Sequence, residues 1–352
     1  MDKRRISFRL QTFYQRLIAV SITITLALYF SVFREQHPSD GGLIRPTDKQ
    51  RSTSNGLSSS NSSITLVVSS TSSEHTEWIA SSFPNTTNAI YVVDSNDPRG
   101  SFKTPMNKGN EAMVYLTFII DHYDNLPDVA IFIHAHLQAK HTDDLLGNSM
   151  VETLQWLRIP KVRSDGYFNL RCNWKPGGCP RYLNLHDPTQ SVLDGSAEAQ
   201  TLKNAWSELF PDVNDMPEWV GQPYGGQFAA SRDAILRTPL QSWVLWREWL
   251  VNTNLTDYQS GRVWEYTWQY VLAGDAIFCP SMYQCYCEGY GVCFGSIKTF
   301  EDWIKRGERL EEKISRYFLM QSKGRKVVEM KAKLTKEKDA LDRVVTDMFS
   351  SS

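Results

Sequence analysis

Residues 107–136 read NKGNEAMVYLTFIIDHYDNLPDVAIFIHAH, and this stretch decides the fold class. From Glu111 to Tyr123 the apolar residues recur at helical spacing, with Met113, Leu116, Ile120 and Tyr123 on one face and Ala112, Tyr115 and Ile119 beside them. Asn125-Leu-Pro-Asp128 turns the chain, and Val129-Ala-Ile-Phe-Ile133 is a continuous apolar run of the kind buried on both faces of a sheet. Upstream, Ile64-Thr-Leu-Val-Val68 is a buried-strand run and Ala89-Ile-Tyr-Val-Val93 a second strand, with a short helix candidate, His75 to Phe83, between them. This β-α-β-α-β order predicts an α/β fold, a parallel sheet with helices packed on it. Ligands of such sheets bind beyond the C-terminal ends of the strands, so the residues just after Val93 and Ile133 are the first places to seek a site.

Working outward, residues 64–295 form the globular α/β domain. Its middle, from about Arg158 to Val220, carries Gly166, Pro176, Gly177, Gly178, Pro180, Pro188, Gly195, Pro211 and Pro217 and reads as loop-rich. Helical patterns return at Ser231–Leu236, Gln241–Val251 and Gly261–Ala273, the last with Trp264, Trp268 and Val271 on one face. Residues 296–352 are a charged, helix-forming tail. Thr299 and Asp302 resemble a capping box, and Phe300, Trp303, Ile304, Leu310, Ile314 and Phe318 lie on one stripe that Gly324 interrupts. The first half of the tail is expected to pack on the domain. The second, Lys326 to Met348, reads as a free helix, a solvated face or a partner helix.

The N-terminal side reads as a membrane anchor. Leu17 to Phe33 is 17 residues without a charge, at the lower limit for a spanning helix. Lys3, Arg4, Arg5, Arg9 and Arg16 precede it, which keeps residues 1–16 in the cytosol and sends the rest across, a single-pass type II topology. A cleaved signal peptide is the competing reading, but the apolar run is long for one and no small-x-small site ends it. Residues 34–63 are rich in Ser, Thr, Asn and Gly and read as a disordered stem. Sequons at Asn61, Asn85 and Asn254 agree with a lumenal domain in the Golgi or endoplasmic reticulum. In that compartment Cys172, Cys179, Cys279, Cys285, Cys287 and Cys293 are expected to form disulfides, with zinc as the alternative. Six cysteines allow 15 pairings, so connectivity stays open.

The whole chain of 352 residues has a formal charge of −1, with 22% charged residues. That balance excludes a basic nucleic-acid-binding protein and an acidic disordered one. A mean hydropathy of −0.39 excludes a multi-pass membrane protein.

The sharpest chemical feature is His134-Ala-His136 followed by His141, at the end of the third strand. In extended backbone, residues two apart point the same way, so two imidazoles with a third returning from the loop could bind a divalent metal, zinc or manganese being the candidates. Asp143 and Asp144 are near enough in sequence to support such ligands. The plain alternative is that these histidines hydrogen-bond the backbone at a strand end. Asp94, after the second strand, could hold a ribose hydroxyl or a metal bridging a diphosphate, or simply make a turn. Asn107, Lys108, Gly109 and Glu111 open the long helix, where backbone N–H groups could take an anion; capping by Asn107 or Asn110 explains them equally well. Gly225-Gly-Gln227 lets backbone approach a ligand closely, with Gln227 and Arg232 as donors to hydroxyl or phosphate, or else the run through Arg232 is a turn leading into a helix. Trp264 and Trp268 flank Glu265 at helical spacing, an arrangement that suits a sugar, or else a core helix. Neither GxGxxG, GxxxxGK[ST], GxSxG nor HExxH occurs.

Four runs, IYVVD (90–94), the 107–136 stretch, GGQFAASR (225–232) and WEYTWQYVLAG (264–274), resemble an uncharacterised family of fungal and related proteins catalogued as a domain of unknown function. Its members look distantly similar to glycosyltransferases of the A-type fold, so the resemblance implies a single Rossmann-like, glycosyltransferase-A-like domain. Such enzymes usually carry Asp-x-Asp after a central strand, where this chain has His134-Ala-His136. The family pattern also tends to have His where this chain has Gln269. Three functions follow as expectations. The first is a secretory-pathway transferase moving a sugar from a nucleotide donor to a glycan or small acceptor, with Glu265 as base. The second is a histidine–metal oxidase or hydrolase. The third is a non-catalytic glycan-binding or scaffold protein.

Overall fold

The computed structural model describes residues 57, 62–95, 102–139, 141–174, 179, 181–192, 195–211, 213, 215–322 and 328–351. The expected anchor at 17–33, nearly all of the stem, the Asn61 sequon and Gly324 lie outside them. Among the described residues no helix is long and apolar enough to cross a membrane. Among the described residues the chain divides into two compact units, residues 57–302 with 343–351, and Trp303–Asp342.

In the larger unit the order is β1 (Ile64–Ser70), α1 (Glu77–Ser82), β2 (Thr87–Val92), α2 (Ala112–Asp121), β3 (Val129–His134), α3 (Met150–Trp156), α4 (Ile159–Asp165), β4 (Tyr167–Asn169), β5 (Leu183–Asn184), α5 (Ser196–Leu209), β6 (Trp219–Val220), β7 (Phe228–Ser231), α6 (Arg232–Leu236), α7 (Leu240–Asn252), α8 (Asp257–Glu265) and α9 (Trp268–Ala273). The main sheet runs β2-β1-β3-β7-β4. β2, β1 and β3 are parallel, in the register Ser69↔Tyr91 and Ser69↔His134, while β7 runs antiparallel to both β3 and β4. β5 and β6 form a separate antiparallel pair.

The three runs read as strands are strands; Leu66–Val68 and Ile131–Ile133 are fully buried, while β2, at the sheet edge, buries only Ala89 and Tyr91. α2 is buried at every position from Ala112 to Phe118 because it lies between β1 and α7, which is why its apolar residues surround it rather than forming a stripe. Its Tyr115 and Phe118 pack on Phe132 of β3, with ring centroids 5.0 and 6.0 Å apart, and Tyr115 meets Phe228 of β7 at 5.7 Å.

The stretch from about Arg158 to Val220 is rich in connecting segments, and among its described residues it holds α4, β4, β5, α5 and β6. One expectation is corrected. Phe228–Ser231, read as part of a turn into a helix, is a strand paired on both sides; the helix starts only at Arg232, with Ser231 capping Ala234 N. The six cysteines form three disulfides, Cys172–Cys285, Cys179–Cys279 and Cys287–Cys293.

The tail contains α10 (Ile297–Ser322) and α11 (Val328–Ser351). Phe300, in its first turn, packs on Tyr286 and Phe294 of the larger unit. Within the smaller unit the rest of the apolar stripe is met by the tail's own second half. Trp303, Leu310, Ile314, Tyr317 and Phe318 pack with Leu334 and Leu341. The Trp303 indole N–H donates to the Leu341 carbonyl at 3.3 Å, and Lys313 pairs with Glu337 at 2.8 Å, so the two segments run antiparallel.

Candidate metal centre

β3 delivers His134 at its C-terminal end, and the chain continues extended for one more bond, Ala135 N donating to Ser69 O at 3.1 Å. The Trp78 indole N–H holds the Ala135 carbonyl at 2.9 Å, between the two histidines. The following loop folds back on itself. Gln138 bridges Ser149, Ala139 N donates to Asn148 O at 3.2 Å, and Gly147 and Asn148 turn it at φ values of +68° and +54°. This return brings His141 to the other two. The ring centroids are 4.9 Å apart for His134–His141, 5.8 Å for His136–His141 and 6.3 Å for His134–His136. One nitrogen of each lies within 4.8 Å of the others, a group that could hold a metal ion.

The nitrogens sort themselves by what surrounds them. Nδ1 of His134 lies 3.0 Å from Nε2 of His141. Two nitrogens bound to one tetrahedral ion at about 2.0–2.1 Å would stand only slightly further apart. Nε2 of His136 contacts Glu74 Oε1 at 2.9 Å, which leaves its Nδ1 as the nitrogen available to a metal. Nε2 of His134 is buried without a hydrogen-bond partner and faces Glu111 Oε2 at 3.6 Å, an ion-pair distance too long for a hydrogen bond. A carboxylate behind the outer nitrogen of a ligating imidazole fixes its tautomer and raises its basicity. Glu74 is itself anchored by Thr71 N at 2.6 Å and Thr71 Oγ1 at 3.0 Å.

The electrostatics are graded across the three rings. For His134 burial opposes the charged form, but the Glu111 carboxylate outweighs it and the pKa rises. For His141 burial, then the neighbouring His134 and His136, push it down to about 4, so at neutral pH its ring is uncharged.

One wall of the site is the Tyr224–Gln227 loop, where Gln227 Oε1 accepts from His134 N at 3.0 Å. Gly226 has φ +63°, and a Cβ there would stand 2.6 Å from Glu111 Oε1. Behind the loop lies Glu265, whose Oε1 accepts from Gly225 N at 2.7 Å while Oε2 pairs with Arg262. Burial raises the Glu265 pKa against the pull of Arg262. Glu265 therefore holds the glycine loop in place, and its two oxygens are already engaged.

The remaining predicted site residues lie elsewhere or are occupied. Asp94 is at the end of β2 but its carboxylate takes Ser72 N at 2.6 Å and Ser72 Oγ at 2.8 Å. Asn107 is exposed, Gly109 is buried against Leu250 with its N–H toward Asp257 Oδ1 at 3.3 Å, and Lys108 donates to the Thr253 carbonyl. Arg232 is at the opposite end of the sheet, donating to Leu126 O at 2.8 Å and pairing with Asp128 at 3.3 Å. Trp264 and Trp268 are fully buried, packed on each other at 4.8 Å, and offer no face to a sugar. Asp143 and Asp144, read as support for the histidines, face away toward residues 171–173. Asn85 and Asn254 are both exposed in connecting segments. Glu74 is the residue that sequence reasoning missed; its signal is the β1–β3 register, which places the turn after Ser70 beside His134.

The chain belongs to the family described as Protein of unknown function (DUF3431), whose model matches residues 66–288. No curated protein and no solved structure matches it.

Proposed function

We propose that this family member is a divalent-metal-dependent enzyme of hydrolytic or hydroxyl-activating chemistry, with His134, His136 and His141 as ligands and zinc as the favoured ion. One observation carries the reading. Three imidazoles converge at the C-terminal end of a central strand while the outer nitrogens of two of them face carboxylates. Three neutral imidazoles with an open fourth position suit zinc, which when bound acts as a Lewis acid and lowers the pKa of a water ligand. Glu74 and Glu111 orient His136 and His134, and the glycine loop held by Glu265 closes one side. The chain is read as a single-pass type II protein, with the domain on the lumenal side of the Golgi or endoplasmic reticulum. Three disulfides and two exposed sequons support that placement.

The test is elemental analysis of the purified protein after exhaustive dialysis. About one equivalent of zinc is expected in the native chain and almost none in a His134→Ala/His136→Ala protein. Equal metal content in both sinks the proposal.

Transfer of a sugar from a nucleotide donor is the second reading. The three parallel strands β2-β1-β3, ending beside the histidine cluster, favour it. The engagement of Asp94, Lys108 and both tryptophans counts against it. A rise in melting temperature with a nucleotide sugar and manganese would support this reading, and no rise with any donor would remove it.

A further inference from the structure

Resting on the metal-centre reading, we infer that Asp143 is a positioning residue that fixes the third ligand, His141, to the Cys172–Cys285 disulfide. His141 differs from its two companions in origin. His134 and His136 are carried by the end of β3 and the extended residues after it, whereas His141 stands on a loop and needs its own support.

Asp143, two residues on, is completely buried. Its Oδ1 accepts from Leu145 N at 3.0 Å and Leu146 N at 3.4 Å, shaping the loop itself. Its Oδ2 accepts from Cys172 N at 2.8 Å and Asn173 N at 3.3 Å. The Tyr286 hydroxyl donates to the same carboxylate, 2.8 Å from Oδ1 and 3.0 Å from Oδ2. Cys172 and Cys285, the residues joined by the disulfide, thus lie at or beside two of the groups that clamp Asp143.

The flanking residues repeat the attachment. Arg171 donates to the Thr142 carbonyl and pairs with Asp144 at 3.0 Å, and Asn173 donates to Asp144 at 2.6 Å. Every one of residues 142–144 is therefore tied to the 171–173 segment, and the disulfide joins that segment to residues 285–289. A buried carboxylate with this many donors cannot be replaced by an amide without turning an acceptor into a donor against N–H groups. The expected result of that change is a loosened His141 with His134 and His136 left in place.

The experiment uses the full chain in detergent, titrated with zinc after chelation, and with cobalt(II) for its visible spectrum. Asp143→Asn is expected to weaken zinc binding about 10–100-fold. Its cobalt spectrum should shift to that of His141→Ala. In the His141→Ala background the same substitution should change affinity by no more than about twofold, since a residue acting through His141 has nothing left to act on. Tyr286→Phe, which keeps the packing and removes one donor, should lose affinity in the same direction by less, and it decides the matter if Asp143→Asn does not fold. Native affinity and spectrum in both variants would overturn the inference, as would an Asp143→Asn effect undiminished in the His141→Ala protein. A native chain that binds no zinc removes the metal-centre reading itself, and this inference with it.

Discussion

Glu74 and His136 are far apart in the chain and 2.9 Å apart in the fold, and the consequence is measurable. Glu74→Gln keeps the shape but removes the charge behind the imidazole, so zinc affinity should fall about 10–100-fold in a competition titration with little change in melting temperature. Gly226→Ala acts from the other side. Its Cβ would stand 2.6 Å from Glu111 Oε1 at a positive φ, so the loop or the carboxylate must move, and weaker metal binding is the expected outcome of the same titration. His141 makes a pH prediction for the metal-free protein. Its native pKa of about 4 is below the ordinary 6.5, so between those values the unfolded chain binds the extra proton and stability falls as the pH is lowered. Above about pH 6.5 both states are neutral there and the contribution to the pH slope vanishes. A His141→Asn protein, melted beside the chelated native one, should show a shallower loss between pH 7 and pH 5. At this scale the histidines were legible because strand-end spacing is local. Glu74 was not, because only the sheet register brings it near. Trp264 and Trp268 left two readings open for a related reason: an aromatic stripe looks the same whether a sugar or another helix covers it, and here the core does.

Strand β7 shows what element-level reading can and cannot reach. Ile64–Val68, Ala89–Val93 and Val129–Ile133 announce themselves through β-branched and aromatic runs bounded by turns. Phe228–Ser231 is four residues with two alanines, flanked by glycines and a helix, and carries almost no intrinsic strand signal. It is a strand because β3 and β4 pair with it on both edges and because its one large side chain fills a prepared space. Phe228 is 1% exposed and its ring meets Phe132 at 4.8 Å, Trp268 at 5.2 Å and Tyr167 at 5.4 Å. Phe228→Ala should therefore cost about 3–5 kcal/mol of stability in a urea titration, the range for an aromatic deleted from a packed core. An exposed phenylalanine substitution would cost far less, so a loss under about 1 kcal/mol would contradict the central place given to this strand.

Across the whole molecule, the disulfides join segments of the larger unit that the sheet does not connect. Cys179–Cys279 spans 100 residues. In the chain-entropy account, cross-links of that span stabilise by up to roughly 4.7 kcal/mol, and a Cys179→Ser/Cys279→Ser protein should lose about 2–5 kcal/mol in a denaturant titration. The helical pair of residues 303–342 has its own small core, so Leu310→Ala and Leu334→Ala should lower its helicity while the metal titration of the larger unit is unaltered. The antiparallel strand inserted between β3 and β4 also has a meaning in time. During synthesis Val129–Phe132 emerges well before its partners Phe228–Ser231 exist. At 5–20 residues per second that interval is about 5–20 s. For that period one edge of a wholly apolar strand stands open while its neighbour β1 is already available. Nascent chains halted before residue 228 should therefore be the aggregation-prone species, and those released after residue 231 should not. The central sheet is a post-dated structure, written first in its parallel half and completed only when the chain comes back.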